Sequence, residues 1–363
     1  MKSVLFFIES LDGGGAEAAL TKFVKLSHPA DLRYTVVSEE EYPESEIPHR
    51  FFINRRKTVL DKVKGKLSLT LPARWSSRMI LREQADVTVA FCEGFATQVV
   101  AYSPFQTKKV AWVHTDVVNN PWSEKVLGGY EKERACYERM DAIVCVSETM
   151  RNAFIEKYGM ADKVRVLYNV YDEASIRALA AEPIEPDDRR PVFTMAGRLT
   201  QVKGYDRIIR VAAKLKAEGF SFRIKIMGRG VLEKTLREQI EQNGLTQEVV
   251  LLGYQKNPYA HIARSDLFLC SSYAEGYSTA VSEAILLGVP AIVTECSGMR
   301  EIFGGRDCGV ICENSEEGLY AALKRVLQKP ELLRDYAAQA KERAADFSMQ
   351  KRLKEIEDFL ADV

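Results

Sequence analysis

No apolar run in this chain of 363 residues approaches the roughly 18 residues that a bilayer-spanning helix requires, so no membrane-crossing helix is expected. Net charge is missing as well. Lysine and arginine number 51 and aspartate and glutamate 51, so no global field steers the protein to nucleic acid. The first strand-like run, Ser3 to Ile8, meets Glu9 and Asp12 at once and has no small-residue cleavage site. That argues against a signal peptide and for a cytoplasmic chain. The seven cysteines are odd in number, and Cys92, Cys136, Cys145 and Cys270 sit in or beside apolar segments, as reduced core thiols do. Cys308 and Cys312 stand alone in C-x3-C spacing, and no Asp-x-Asp is convincing, so no metal is expected. Gly13-Gly14-Gly15 and Gly228-Arg229-Gly230 lack the full G-x-G-x-x-G spacing, which argues against nicotinamide or flavin binding. Ser/His/Asp catalysis finds no nucleophile elbow, and His28, His49 and His261 belong to no constellation.

What the chain has is an alternation of strand-like and helical runs. Six strands are expected between Val4 and Leu167 and five more between Val192 and Thr294. Such alternation predicts an α/β protein with two doubly wound parallel sheets built by right-handed crossovers. Ala181 to Pro191, rich in proline and charge, cannot continue a helix and reads as a linker. Domains are therefore expected at 1–180 and 192–348, facing each other across a cleft, with an amphipathic helix at 349–363.

Glu275 and Glu283 stand eight positions apart where the apolar run Leu267 to Ser271 turns into a helix ending near Gly288. Ligands bind at that edge of a parallel sheet. Ser278 can cap the helix, and free amides around Tyr277, Ser278 and Thr279 would favour a phosphate. An ionised carboxylate accepts hydrogen bonds from two donors at once, which suits hydroxyls. Phosphate and hydroxyls together describe a nucleotide-sugar. Arg198 and Lys203, framed by Gly197 and Gly204, follow the first strand of the second domain. A guanidinium fork and a lysine point charge would stabilise a departing diphosphate. His114 ends a strand-like run, and Ser147 precedes a helix as an N-cap would.

These motifs resemble those of the retaining glycosyltransferases of the GT-B fold, family 4. The resemblance rests on Glu275-x7-Glu283 and Gly197-Arg198-Leu199-x3-Lys203-Gly204, and in order on Gly13-Gly14-Gly15-Ala16-Glu17, Trp112-Val113-His114, Val146-Ser147-Glu148 and Met227-Gly228-Arg229-Gly230. Ser278 replaces the usual glycine, Val231 a common proline and Val170 a frequent glycine. The resemblance implies two Rossmann-like domains, the first joined by 349–363 and handling the acceptor, the second binding the nucleotide-sugar. It implies that Arg198 and Lys203 meet the diphosphate, Glu283 the ribose, and Glu275 and His114 the transferred sugar. Gly14, Gly15, Gly197, Gly228, Gly276, Tyr277, Ser278 and Thr279 would line the donor. The expected activity is a metal-independent, retaining hexosyl transfer from a nucleotide, by preference UDP, to an acceptor hydroxyl, with no cofactor. The alternatives are an inactive GT-B sugar-binding or chaperone subunit, which should have lost one of the four charged residues, and a nucleotide-sugar epimerase.

One segment breaks the charge balance. Arg55 to Arg82 holds nine basic residues against a single acid, Asp61, interleaved with leucines, valines and Trp75. Cations mixed with leucine and tryptophan suit an anionic membrane surface. A lipid-linked saccharide or a cell-surface polysaccharide precursor, made at the inner face of the cell membrane, would be the matching acceptor.

Overall fold

The computed structural model describes residues 1–11, 14–42, 47–53, 58, 61, 71–185 and 190–363. The chain divides into two compact units, Met1–Val170 with Met349–Val363, and Tyr171–Ser348. The strands of the first unit are β1 (Lys2–Ile8), β2 (Leu32–Glu40), β3 (Arg50–Ile53), β4 (Val87–Ala90), β5 (Lys108–Val113), β6 (Ala142–Cys145) and β7 (Val164–Val166). They pair in parallel in the order β3-β2-β1-β4-β5-β6-β7. Val4 to Ile8 are all buried, because helices cover both faces of a doubly wound sheet and its central strands are apolar throughout.

The second unit repeats the plan. Its strands are β8 (Val192–Ala196), β9 (Arg223–Met227), β10 (Val249–Gly253), β11 (Leu267–Cys270), β12 (Ala291–Thr294) and β13 (Gly309–Cys312). Their order is β10-β9-β8-β11-β12-β13, again all parallel. The helix Tyr205–Ala217 buries Ile208, Ile209, Val211, Ala212 and Leu215 against this sheet. Each buried valine, leucine or isoleucine among them contributes about 1.5–3 kcal/mol.

In both sheets the order reverses once, between β1 and β4 and between β8 and β11. Loops leaving the carboxyl ends of those neighbours diverge to opposite faces, which opens the crevice where α/β proteins take ligands. Arg198 and Lys203 follow β8 and Glu275 follows β11 at the second of these reversals, while His114 follows β5, Gly228 follows β9 and Glu283 stands inside the helix Thr279–Leu286.

Two strands escape the sequence reading, β3 and β13. Both are edge strands with a single pairing neighbour, so four residues suffice and no long apolar run marks them. The division between units also falls before the proline-rich stretch. The helix Glu173–Ala180 lies with the second unit, where Asn257 Nδ2 donates to Leu179 O at 2.8 Å and Arg264 Nη1 to Ala180 O at 3.1 Å. The helix Met349–Asp362 belongs to the first unit. Lys2 Nζ donates to its Ala361 carbonyl at 2.8 Å, a cation at the negative end of the helix dipole, and Ser27 Oγ donates to Glu357 at 2.6 Å.

Candidate active site

The reversal point of the second sheet brings two loops together. After β8 the chain runs through Gly197, Arg198 and Leu199 into a single 3₁₀ turn, Gln201–Lys203, then Gly204 and the helix Tyr205–Ala217. After β11 it runs through Ser271 to Glu275 into the helix Thr279–Leu286. Gly204 has φ +63°, and a Cβ there would overlap the Ser271 carbonyl, so glycine is what lets the loops touch.

Across that contact Lys203 Nζ donates to Glu275 Oε1 at 2.6 Å, and Ser272 Oγ donates to the same oxygen at 2.5 Å. The Lys203 side chain is 29% exposed and that of Glu275 9%. Burial is the largest influence and disfavours the Lys203 ammonium, yet the Glu275 charge, Cys270 and the hydrogen bond to Glu275 together outweigh it, and the lysine pKa stands above its usual value. Two residues expected to meet different parts of a ligand thus form one ion pair. Arg198 is close enough to repel the Lys203 charge, and its own guanidinium is exposed, with no ion pair among the described residues.

Ser278 caps the second helix, its Oγ accepting from Val281 N at 3.5 Å. The amides of Thr279 and Ala280 have no hydrogen-bond partner among the described residues, so the positive end of this helix is open to an anion. Gly276 and Tyr277 lie on the loop before it, Tyr277 buried. Glu283 is half-buried within the helix and accepts from Tyr259 Oη at 3.0 Å. Tyr259 was not legible as a site residue, because its helix, Tyr259–Ile262, is one turn long. Gly228 was expected to admit a ligand. A Cβ there would overlap the Gly197 carbonyl, so the structure explains this glycine by backbone packing between the turns after β8 and β9.

In the first unit His114 follows β5. Its Nε2 is buried with no hydrogen-bond partner among the described residues, and burial pushes its pKa down to about 3, so the imidazole is neutral. Its turn is held by Glu93, a residue that sequence reasoning missed. The fully buried Glu93 Oε1 accepts from His114 N at 2.6 Å, Thr115 N at 2.5 Å and Thr115 Oγ1 at 2.9 Å. An acid shortly after the apolar β4, beside Gly94, was the available signal. Gly14 caps the helix Gly15–Leu26, with the Glu17 carboxylate folded over it where a Cβ would go. Gly13 lies outside the described residues. Ser147 is an N-cap as expected, its Oγ accepting from Met150 N at 3.2 Å.

Two doubly wound sheets, each with a loop-built reversal point, define the GT-B architecture of glycosyltransferases. The two halves match glycosyltransferase families in turn, Glycosyltransferase Family 4 over residues 13–175 and Glycosyl transferases group 1 over 176–343, and the chain belongs to the glycosyltransferases built from this pair. A Campylobacter jejuni N-acetylgalactosamine-N,N'-diacetylbacillosaminyl-diphospho-undecaprenol 4-alpha-N-acetylgalactosaminyltransferase is 30% identical over 218 residues, 59% of this chain and 58% of that protein. An uncharacterized glycosyltransferase of Methanocaldococcus jannaschii is 28% identical, with 69% of this chain and 67% of that protein covered. The chain therefore spans about three fifths to two thirds of the length of these relatives. The structure of Anabaena HepE, solved with UDP and glucose, superposes over 100% of both chains with TM-score 0.77 at 19% identity, a likeness of fold.

Proposed function

We propose that the chain is a retaining hexosyltransferase that uses a nucleotide donor, UDP by preference, and an acceptor hydroxyl. The observation that carries this reading is the reversal point of the second unit, where the exposed Arg198 lies near enough to act on the charge of the Lys203–Glu275 pair and the amides of Thr279 and Ala280 have no partner among the described residues. That set suits a diphosphate next to a sugar. Arg198 and Lys203 stabilise the charge that grows on the leaving group, so the reading needs no metal and no cofactor. Gly197, Gly228, Gly276, Tyr277 and Ser278 shape the donor site, Glu283 takes the ribose hydroxyls, and Glu275 takes hydroxyls of the transferred sugar. His114, neutral and with Nε2 unpartnered among the described residues, is the hydrogen-bonding group that the first unit would offer to a sugar. In the reaction the bond from the anomeric carbon to the phosphate oxygen breaks and the acceptor oxygen bonds that carbon on the same face. The acceptor proton passes to the departing phosphate. Support for the donor class comes from the UDP and glucose bound to HepE, and for a lipid-linked acceptor from the name of the Campylobacter relative.

Incubation with an isotopically labelled UDP-sugar and an acceptor panel tests the reading. Label in a new α-glycoside supports it. Label only in an epimerised donor, or no consumption with any nucleotide-sugar, refutes it. Glu283→Gln should raise the Kd for the nucleoside diphosphate roughly tenfold and leave kcat nearly unchanged, because a ribose contact is made equally in ground and transition states. Unchanged affinity by calorimetry would remove the ribose role.

Contact with an anionic membrane belongs to the same proposal. Much of the basic segment, 55–57, 59–60 and 62–70, lies outside the described residues. The described part includes the helix Ala73–Leu81, which buries Ile80 and Leu81 and exposes Arg74, Arg78 and Trp75, the last at 64%. No helix among the described residues is long and apolar enough to cross a membrane. An exposed tryptophan among arginines suits an interfacial seat, each cation contributing about 1 kcal/mol at an anionic surface. The protein should co-sediment with phosphatidylserine-containing vesicles, less so at high salt, and a Trp75→Ala, Arg74→Glu, Arg78→Glu variant should stay in the supernatant. Equal recovery with anionic and neutral vesicles at low salt would end the membrane proposal.

A further inference from the structure

Arg207 breaks three local rules at once. It is only 2% exposed. It stands in the first turn of the helix Tyr205–Ala217, where the macrodipole opposes a cation. It makes no ion pair with a carboxylate among the described residues, since the adjacent Asp206 is paired with Arg210 at 3.0 Å. A guanidinium buried against neutral partners is costly, and its neighbours Ile208 and Ile209 show that an aliphatic side chain suits this helix. Local rules broken in the core point to a functional constraint.

What Arg207 holds is the carboxyl end of β11. Its Nε donates to Ser271 O at 2.7 Å, Nη2 donates to Ser271 O, to Ser272 O at 2.7 Å and to Asn314 Oδ1 at 2.9 Å, and the guanidinium lies 4.0 Å from the centre of the Tyr273 ring. From the other side Ser271 Oγ donates to Lys203 O at 3.0 Å and Gly204 O at 2.9 Å. Arg207 follows Lys203 by four residues, and Ser272 precedes Glu275 by three. The guanidinium therefore ties the loop that carries Lys203 to the loop that carries Glu275.

We propose that Arg207 is a positioning residue of the diphosphate site, fixing the Lys203 ammonium through the Ser271 and Ser272 carbonyls. This rests on the reading of Lys203 given above. A core role alone would affect every part of the nucleotide equally, whereas a role through Lys203 is confined to the phosphates.

UDP and uridine separate the two, titrated calorimetrically into the parent, Arg207→Met, Lys203→Ala and the double variant. If a thermal-shift screen of the parent selects another base, the corresponding diphosphate and nucleoside replace them. Arg207→Met should weaken UDP roughly tenfold and leave uridine within about twofold. In the Lys203→Ala background the same change should cost less than about twofold, and Arg207→Lys should recover part of the loss. Should Arg207→Met fail to fold, Asn314→Ala and Arg207→Gln carry the same comparison with milder loss. UDP affinity untouched by the Arg207 variants, uridine falling in step with UDP, or losses that multiply in the double variant would each overturn the proposal. If Lys203→Ala bound UDP like the parent, the diphosphate reading would fall and this inference with it. A weakened Lys203→Ala beside unaltered Arg207 variants would overturn the inference alone.

Discussion

Replacing Arg198 with alanine is expected to lower turnover by roughly 100-fold or more, about 3 kcal/mol of transition-state stabilisation, with no change in melting temperature. The guanidinium is exposed and has no ion pair among the described residues, so its removal leaves no buried group without a partner. What it does remove is a fixed cation next to Lys203, at the spot where charge would accumulate on a departing diphosphate. Turnover within about threefold of the parent would sink the leaving-group assignment, since an interaction made mainly in the transition state has to appear in kcat.

Lys203→Ala should cost as much activity and, unlike Arg198→Ala, stability as well. Its ammonium is the ion-pair partner of Glu275, whose side chain is 9% exposed. Deleting one member of a fully buried pair costs about 3–5 kcal/mol because the other charge is left behind. Lys203 is partly exposed, so a loss on the order of 2 kcal/mol is expected. The effect on pH dependence follows in sign. The folded-state pKa of Lys203 is raised, so its contribution is complete below the unfolded lysine value near 10.4 and fades as the pH climbs through the folded value. Adding Glu275→Gln to Lys203→Ala should restore part of the stability by removing the stranded charge, without restoring turnover. Denaturant unfolding of the parent and both variants checks this. A double variant no more stable than Lys203→Ala would show that the ion pair is not what holds the loops.

The fold was largely legible, for a physical reason. Central parallel strands are buried on both faces and leave continuous apolar runs such as Val4 to Ile8, which no surface element imitates. The edge strands β3 and β13 leave no such trace. At the site, Arg198, Lys203, Glu275 and Glu283 could be found because short spacings fix them to strand ends. Glu93, Tyr259 and Arg207 could not. Each acts on a residue 21 to 65 positions away, His114 and Thr115 for Glu93, Glu283 for Tyr259, and Ser271 and Ser272 for Arg207. Pairings of that range are set by sheet order, which a one-dimensional pattern does not carry. Gly228 illustrates a different shortfall. Its presence was legible, but its packing against the Gly197 carbonyl was not.

The helix Met349–Asp362 packs into the unit that starts at Met1, with Lys2 bonded to the Ala361 carbonyl. During translation the residues of the second unit are therefore complete while the first still lacks a structural member. The half that leaves the ribosome first is the half that finishes last, and until then the surface awaiting Leu353, Ile356 and Leu360 is uncovered.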